Sequence, residues 1–230
     1  MNMTIDLHNF FEFFDPTNPK HVAAVEQLEV DMNTKCADLL DENSNWVRIY
    51  RTKLQEDILN VPYYPQTDNY RDKDRTCNSS ACAMCLEYLK PGTLKGERGD
   101  DEYVRKVFAI GDSPDHSVQT RVLKSYGVES SFTQSMGFSD LDKQLANGKP
   151  VVLGILHRGT LTRPYGGHMI VAIGKTKDGD YVVHDPYGSL NDGYTGPVTN
   201  GKRVVYKRNV LEYRWLTQKV DKTGWGRTFS

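Results

Sequence analysis

The chain has 230 residues, of which 38% are hydrophobic and 26% are charged, and its formal net charge is −1 at pH 7. This composition suits a soluble globular protein with one large domain, or with one domain and an extension. The nearly balanced charge gives no indication of bulk attraction to nucleic acid or to an anionic membrane.

The N-terminal residues include early acidic side chains and no long apolar core, so they do not resemble a secretory signal. No apolar run reaches the length of a membrane span. We therefore expect the protein to be made and folded in a cytoplasm. Four cysteines are few for this length and do not imply a disulfide framework.

Residues 1–57 are predicted to form an N-terminal helical extension, separate from a second domain over residues 58–230. Asn18-Pro19 is a typical helix start. Apolar residues follow at spacings of three and four as far as Leu39, which predicts an amphipathic helix of about 20 residues.

The segment from Val61 to Gly92 (VPYYPQTDNYRDKDRTCNSSACAMCLEYLKPG) predicts an extended stretch, a charged loop and then a helix. Its first two prolines favour extended backbone. Helix-forming residues with an apolar face follow Cys77 as far as Leu89, and Lys90-Pro91-Gly92 ends the pattern. Cys77 is therefore predicted to lie where a loop enters a mostly buried helix. The positive end of a helix dipole stabilises a thiolate, the reactive form of cysteine.

The rest of the chain predicts helices first and strands later, which favours an α+β fold. A glycine-rich loop is expected over residues 158–167 and a long surface loop over 188–201. The predicted helices cover 101–110, 115–126 and 139–147, the predicted strands cover 128–132, 151–156, 168–175, 181–184 and 203–206, and a helix or strand over 209–216 closes the domain.

Two of these strands place a histidine and an acid at their ends. His168 opens the apolar run HMIVAIG, and Asp185 directly follows the strand YVVH. Asp178-Gly179 between them is a hairpin-turn signal, so adjacent antiparallel strands can present His168 and Asp185 side by side. Cysteine, histidine and then a carboxylate is the chain order of papain-like cysteine peptidases.

The sequence resembles the papain-fold peptidases related to the double-glycine leader peptidases of bacteriocin exporters. The resemblance is carried by Gln66, by Cys77 and the helix after it, and by the blocks GHMIV and HDPYG. The blocks DNYRD, RTC and AMCLEYLKPG more closely resemble a phage-encoded branch found in endolysin-type proteins, and the resemblance covers about residues 61–216. It implies a papain-like fold with the nucleophile at the start of a central helix packed on an antiparallel sheet. It also implies that Cys77 is the nucleophile, that His168 is its base, that Asp185 orients His168, and that Gln66 stabilises the oxyanion.

The resemblance to the phage branch implies a peptidoglycan endopeptidase that reaches the cell wall through a membrane pore. A peptidase acting on a protein, such as a leader peptide or a virion precursor, is an alternative substrate assignment. A catalytically silent structural or binding module on the same fold is a second alternative, and a transferase whose acyl-enzyme is captured by an amine is a third. The sequence leaves the oligomeric state open.

Metal binding has two candidate patterns. Cys77, Cys82 and Cys85 have part of the plant-type ferredoxin spacing, but the last two fall inside a helical pattern and are expected to be small core side chains. Asp68, Asp72 and Asp74 are spaced like calcium-loop ligands without the glycine and final glutamate of an EF-hand. We expect a solvated loop there, with calcium as the alternative, and no other cofactor. His157 and His184 flank strands, and contact with substrate is one interpretation of them. We expect ordinary polar residues at strand ends and leave both out of the catalytic set.

Overall fold

The computed structural model describes residues 19–20, 58–96, 98–216 and 219–230. The chain divides into two units, Met1–Glu56 and Asp57–Ser230, and the second is described here by itself. The helical extension predicted over residues 1–57 lies outside the described residues, except for Pro19 and Lys20. That extension and its boundary stay predictions.

The second unit is a mixed α+β domain, which confirms the predicted fold class. Its helices are α1 (Cys77–Leu89), α2 (Gly99–Ile110), α3 (His116–Ser125), α4 (Phe138–Ala146) and α5 (Arg208–Arg214). Its strands are β1 (Ser130–Met136), β2 (Val151–Thr160), β3 (Arg163–Lys175), β4 (Tyr181–His184), β5 (Val204–Tyr206) and β6 (Gly224–Phe229). None of the helices in the described part of the chain is long and apolar enough to cross a membrane.

The described strands form one six-stranded antiparallel sheet in the order β1-β6-β2-β3-β4-β5. The apolar strand β2 is central, as predicted. Strand β6 was not predicted, and it lies between β1 and β2. Its sequence, GWGRTF, contains two glycines and a charged residue, so it lacks the apolar run that marks a central strand.

Both faces of the sheet are covered. Met169, Val171 and Ile173 of β3 belong to the cluster that includes the buried residues of α1. Ile170 and Ala172 alternate with them and belong to the cluster on the opposite face, with helices α4 and α5. Successive side chains of a strand point to opposite faces, so a strand covered on both sides has a continuous apolar sequence.

The prediction of a loop over residues 158–167 is wrong. Arg158, Gly159 and Thr160 pair with Tyr165, Pro164 and Arg163, so the β2–β3 hairpin continues to a two-residue turn at positions 161–162. Gly159 has a φ of +73°, and a Cβ there would lie 2.8 Å from Tyr165 Cδ1. The glycines that suggested a loop therefore allow close packing within the hairpin.

We expect Ile170→Ala to lower the free energy of unfolding by about 2–5 kcal/mol, because it leaves a cavity in the core. Ile170 is fully buried on β3, whereas Ile110 at the end of α2 is 49% exposed. Ile110→Ala is the matched control and should change the stability by no more than about 0.5 kcal/mol. Urea unfolding measures both variants, and equal losses would contradict the described core.

Candidate active site

Cys77 is the first residue of α1, as predicted, and its side chain is half-buried. The first hydrogen bond of the helix runs from Ser80 N to Thr76 O at 2.9 Å, so the N–H groups just before Ser80 have no acceptor from the preceding turn. Cys82 and Cys85 are fully buried on the same helix, and burial raises the pKa of both thiols. Of these three cysteines, Cys77 is the one that solvent reaches.

Buried polar side chains hold the first turn of α1 from one side. Asn69 Nδ2 donates to Thr76 Oγ1 and to Ser80 Oγ, both at 2.9 Å. The Ser80 hydroxyl donates in turn to Asp100 Oδ2 at 2.7 Å. Hydrogen bonds between buried groups are directional and costly to break, so they fix the position of the helix start.

The loop before α3 holds the same turn from the other side. Asn78 Nδ2 donates to Ser113 O at 3.1 Å, and the hydroxyl oxygens of Ser79 and Ser113 are 2.7 Å apart. Gln119 Nε2 donates to Ser79 Oγ at 3.0 Å. The residues that follow Cys77 are therefore bonded to neighbouring elements, which orients the thiol at the end of the helix.

His168 and Asp185 lie side by side, as the predicted hairpin requires. Asp185 Oδ1 accepts a hydrogen bond from His168 Nε2 at 2.7 Å, and the two side chains are only 3% and 0% exposed. Burial alone lowers the pKa of His168, but the charge of the Asp185 carboxylate, the hydrogen bond to it and the nearby Cys77 raise that pKa to about 10. The buried imidazole is therefore held by the carboxylate, and its charged form is favoured at neutral pH.

The Asp185 carboxylate has four hydrogen-bond donors. Oδ1 also accepts from Tyr187 N at 3.0 Å, and Oδ2 accepts from the hydroxyls of Tyr206 at 2.6 Å and Tyr194 at 3.1 Å. Burial and the carboxylate raise the pKa of both tyrosines, so they stay neutral donors. A buried carboxylate needs such compensation, and these bonds also fix its orientation.

Gln66 is buried in a short 3-10 turn, Gln66–Asp68, close to the residues after β4. Its backbone N–H donates to Pro186 O at 2.8 Å. Its side-chain Nε2 donates to Lys73 O at 2.6 Å, while Oε1 is buried without a partner. The loop between Gln66 and Cys77 therefore folds back on Gln66 and orients its side-chain amide. The bond to Lys73 O uses one N–H of this amide, which has two.

Two other histidines were predicted at strand ends. This is wrong for His157, which lies within β2 because the strand continues to Thr160, and correct for His184, which ends β4. The ring of His157 stacks on that of His168 with centroids 4.8 Å apart, and burial followed by the charge of His168 lowers its pKa to about 4. His184 Nε2 is 2.9 Å from Val61 O, and Nδ1 accepts from Arg203 N at 3.0 Å. His184 thus has a structural role, whereas His157 stacks on His168, a contact that was not predicted.

The predicted calcium ligands differ in their surroundings. Asp68 Oδ1 is buried, and burial raises the pKa of that carboxyl, whereas Asp72 is exposed and pairs with Arg71 at 2.9 Å. Asp74 is exposed as well. Within the described ranges, no three His, Cys, Asp or Glu side chains are grouped so that they could hold a metal ion. Calcium at Asp68, Asp72 and Asp74 stays a prediction from spacing alone.

Comparison with known families decides the class of protein. The profile of the Peptidase_C39 like family matches residues 58–220. The chain belongs to this family. Membership supports a cysteine peptidase and the papain-like fold predicted from the sequence.

One solved structure shares the fold of this C39-like peptidase, and a second has lower similarity. A protein from Bacillus anthracis described as a C39-like peptidase is 16% identical, with a TM-score of 0.51 over 76% of this chain and 96% of its own. A double glycine motif protease from an AMS/PCAT transporter, in complex with the leader peptide, is 15% identical, with a TM-score of 0.43 over 75% of this chain and 93% of its own. None of the curated proteins matches the chain.

The His168–Asp185 pair of the C39-like peptidase predicts a pH dependence of stability. A histidine has a pKa of about 6.5 in an unfolded chain, and that of His168 is raised to about 10 in the folded protein. Its contribution to stability is therefore complete below about pH 6.5 and is lost as the pH rises through about 10. We expect the free energy of unfolding to fall over this range, by at most about 1.4 kcal/mol per pH unit.

Both proteins in this measurement carry Cys77→Ser, which removes the thiol next to His168 in the proposed site. Adding Asp185→Asn should abolish most of the decrease, because Asp185 is the first cause that raises the pKa of His168. Urea unfolding at a series of pH values gives the slopes. An identical slope with and without Asp185→Asn would show that the pair does not control the titration of His168.

Proposed function

We propose that this C39-like peptidase hydrolyses peptide bonds with Cys77 as nucleophile, His168 as general base and acid, and Asp185 as the residue that orients His168. The observation that carries this proposal is the buried hydrogen bond of 2.7 Å between His168 and Asp185, on an imidazole whose pKa is raised by Asp185 and then by Cys77. A thiolate beside an imidazolium at a helix start is the arrangement that activates a cysteine nucleophile.

The proposed reaction has two halves. The Cys77 thiolate attacks the carbonyl carbon of the peptide bond, and the His168 imidazolium gives its proton to the departing amine nitrogen as the C–N bond breaks. The acyl group is then held as a thioester on Cys77. His168 next takes a proton from a water molecule that attacks the thioester, the C–S bond breaks, and the carboxylic acid product leaves.

The negative oxygen formed in each half needs hydrogen-bond donors. We assign this role to the Cys77 backbone N–H and to the Gln66 side-chain amide. The carbonyl of Lys73 accepts from Gln66 Nε2 at 2.6 Å, so the amide is oriented before substrate arrives. Removing one such donor typically lowers turnover by about 100- to 1000-fold.

For the substrate, we propose peptidoglycan, cut at a stem or cross-bridge peptide bond in the manner of a phage endolysin. The resemblance of residues 61–216 to the phage-encoded branch supports this assignment. Cytoplasmic synthesis and passage through a membrane pore to the cell wall belong to the same proposal. A silent binding module has no need for a buried carboxylate with four donors beside a histidine and a thiol, so the site favours an enzyme.

We expect the purified protein to release fragments from peptidoglycan that carry new free amino groups on stem peptides. Cys77→Ala should release none, because it lacks the nucleophile, while its fold and stability are kept. Cys82→Ala is the matched control and should stay active, because Cys82 is a buried core residue. Mass spectrometry of the fragments distinguishes the three proteins.

The fragments also separate the alternatives. Intact stem peptides released from the glycan would identify an amidase in place of an endopeptidase. An active Cys77→Ala together with an inactive Cys82→Ala would assign the nucleophile to Cys82. No fragments from sacculi of several cross-link types would contradict the peptidoglycan assignment and favour a protein substrate.

A further inference from the structure

A pocket of about 550 Å³ adjoins the proposed catalytic histidine. It lies between the end of the β2–β3 hairpin and the loop after Asp185, and its volume is within the range of ligand-binding pockets. The side chains that matter here are Arg158, Arg214, His157, Tyr165, Tyr187 and Tyr194.

The lining of this pocket is positively charged. It contains two arginines and no aspartate or glutamate. Asp192 directly precedes the lining residue Gly193, and its carboxylate accepts a hydrogen bond from Asn200 Nδ2 at 2.9 Å. Asp185 lies behind the tyrosines and already has four donors. The pocket thus has cationic groups and no acidic side chain of its own to neutralise them.

Arg214 is the buried cation of the pocket. It is 7% exposed, and its guanidinium donates to the carbonyl oxygens of Leu156 at 2.6 Å, Arg158 at 3.1 Å and Gly159 at 3.0 Å. Within the described part of the chain no carboxylate forms an ion pair with it. A buried guanidinium bonded only to neutral carbonyls keeps its full charge available to an anion that enters the pocket.

Arg158 supplies a second cation from the hairpin. Its side chain is exposed and lies over Gly166, where an added Cβ would be 3.2 Å from Arg158 Cδ. Tyr165, which is 61% exposed, pairs directly with Arg158 across the hairpin. The hairpin therefore places a cation and an aromatic ring together at the entrance of the pocket.

Three other lining residues connect the pocket to the reaction centre. The rings of His157, Tyr187 and Tyr194 have centroids 4.8, 6.2 and 6.1 Å from that of His168. Tyr194 also donates to Asp185 at 3.1 Å. A substrate group in the pocket would therefore lie next to the imidazole that acts on the scissile bond.

We propose that this pocket binds a carboxylate group of the peptide substrate, with Arg158 and Arg214 as its partners and the tyrosine rings as its walls. This deepens the proposed function and rests on it for the position of the scissile bond. The substrate class that it selects is an acidic peptide, with the carboxylate close to the bond that is cut.

The test uses N-acetylated stem peptides from peptidoglycan in two forms, one with free carboxylates and one with the same carboxylates converted to amides. Calorimetry measures their binding to the Cys77→Ala protein, which cannot cleave them. We expect the free carboxylate form to bind at least about tenfold more tightly, as for a charge-assisted hydrogen bond. Arg158→Gln in the same background should lower this ratio, because Arg214 then remains as the one cationic partner in the pocket lining.

Arg163→Gln is the matched control, because Arg163 is exposed on the same hairpin but does not line the pocket. It should leave the ratio unchanged. Equal binding of the two forms to Cys77→Ala, no measurable binding of either form, or the same loss with Arg163→Gln as with Arg158→Gln would overturn the carboxylate pocket.

Cleavage assays with the unmodified protein separate this proposal from the proposed function. If both peptide forms are cut at equal rates, the peptidase assignment stands and the carboxylate pocket is overturned. If the carboxylate form binds in a manner that depends on Arg158 but peptidoglycan is not cut, the pocket stands and the peptidoglycan assignment fails.

Discussion

The buried hydrogen bond between His168 and Asp185 constrains much of the surrounding structure. A carboxylate with no solvent contact requires donors, and here they come from β3, from β5 and from the loop between β4 and β5. Tyr206 and Tyr194 both face the same oxygen. The Asp185 backbone is fixed as well, because its N–H donates to Gly201 O at 2.9 Å and a side chain at Gly201 would collide with Asp185 O. The long loop over 188–201 therefore contacts Asp185 at two points, through the Tyr194 hydroxyl and the Gly201 carbonyl.

The proposed chemistry divides between the two sides of the domain. Helix α1 presents the thiol, and the sheet presents the histidine and the carboxylate. The extended segment before α1 joins the two sides, since Leu59 N donates to Ile173 O at 2.7 Å on β3. The Tyr63 hydroxyl lies 2.9 Å from Asp185 O and 2.7 Å from Val198 O. This segment and the polar groups around the first turn of α1 set the position of Cys77 relative to His168.

Local signals in the sequence were sufficient for α1 and for the β3–β4 hairpin. Cys77 begins a helix with clear stop signals, and His168 and Asp185 flank a hairpin with an Asp-Gly turn, so their proximity followed from short-range patterns. Strand β6 could not be found in this way. The terminal guanidinium nitrogens of its buried Arg227 donate to Thr120 Oγ1, Ser130 Oγ and His116 O, which are more than 90 residues away along the chain. Tyr194 and Tyr206 were missed for the same reason, because no spacing pattern indicates a hydroxyl that reaches Asp185 through a loop and across a strand.

The most direct test of the account is the rate at which iodoacetamide alkylates each thiol, followed by mass spectrometry. Cys82 and Cys85 are fully buried and serve as internal controls in the same chain. We predict that Cys77 reacts faster than free cysteine at neutral pH, and that His168→Ala removes this advantage while Cys82 and Cys85 stay unmodified. A Cys77 that reacts no faster than free cysteine, or whose rate is unchanged by His168→Ala, would contradict the claim that the imidazole held by Asp185 activates this thiol.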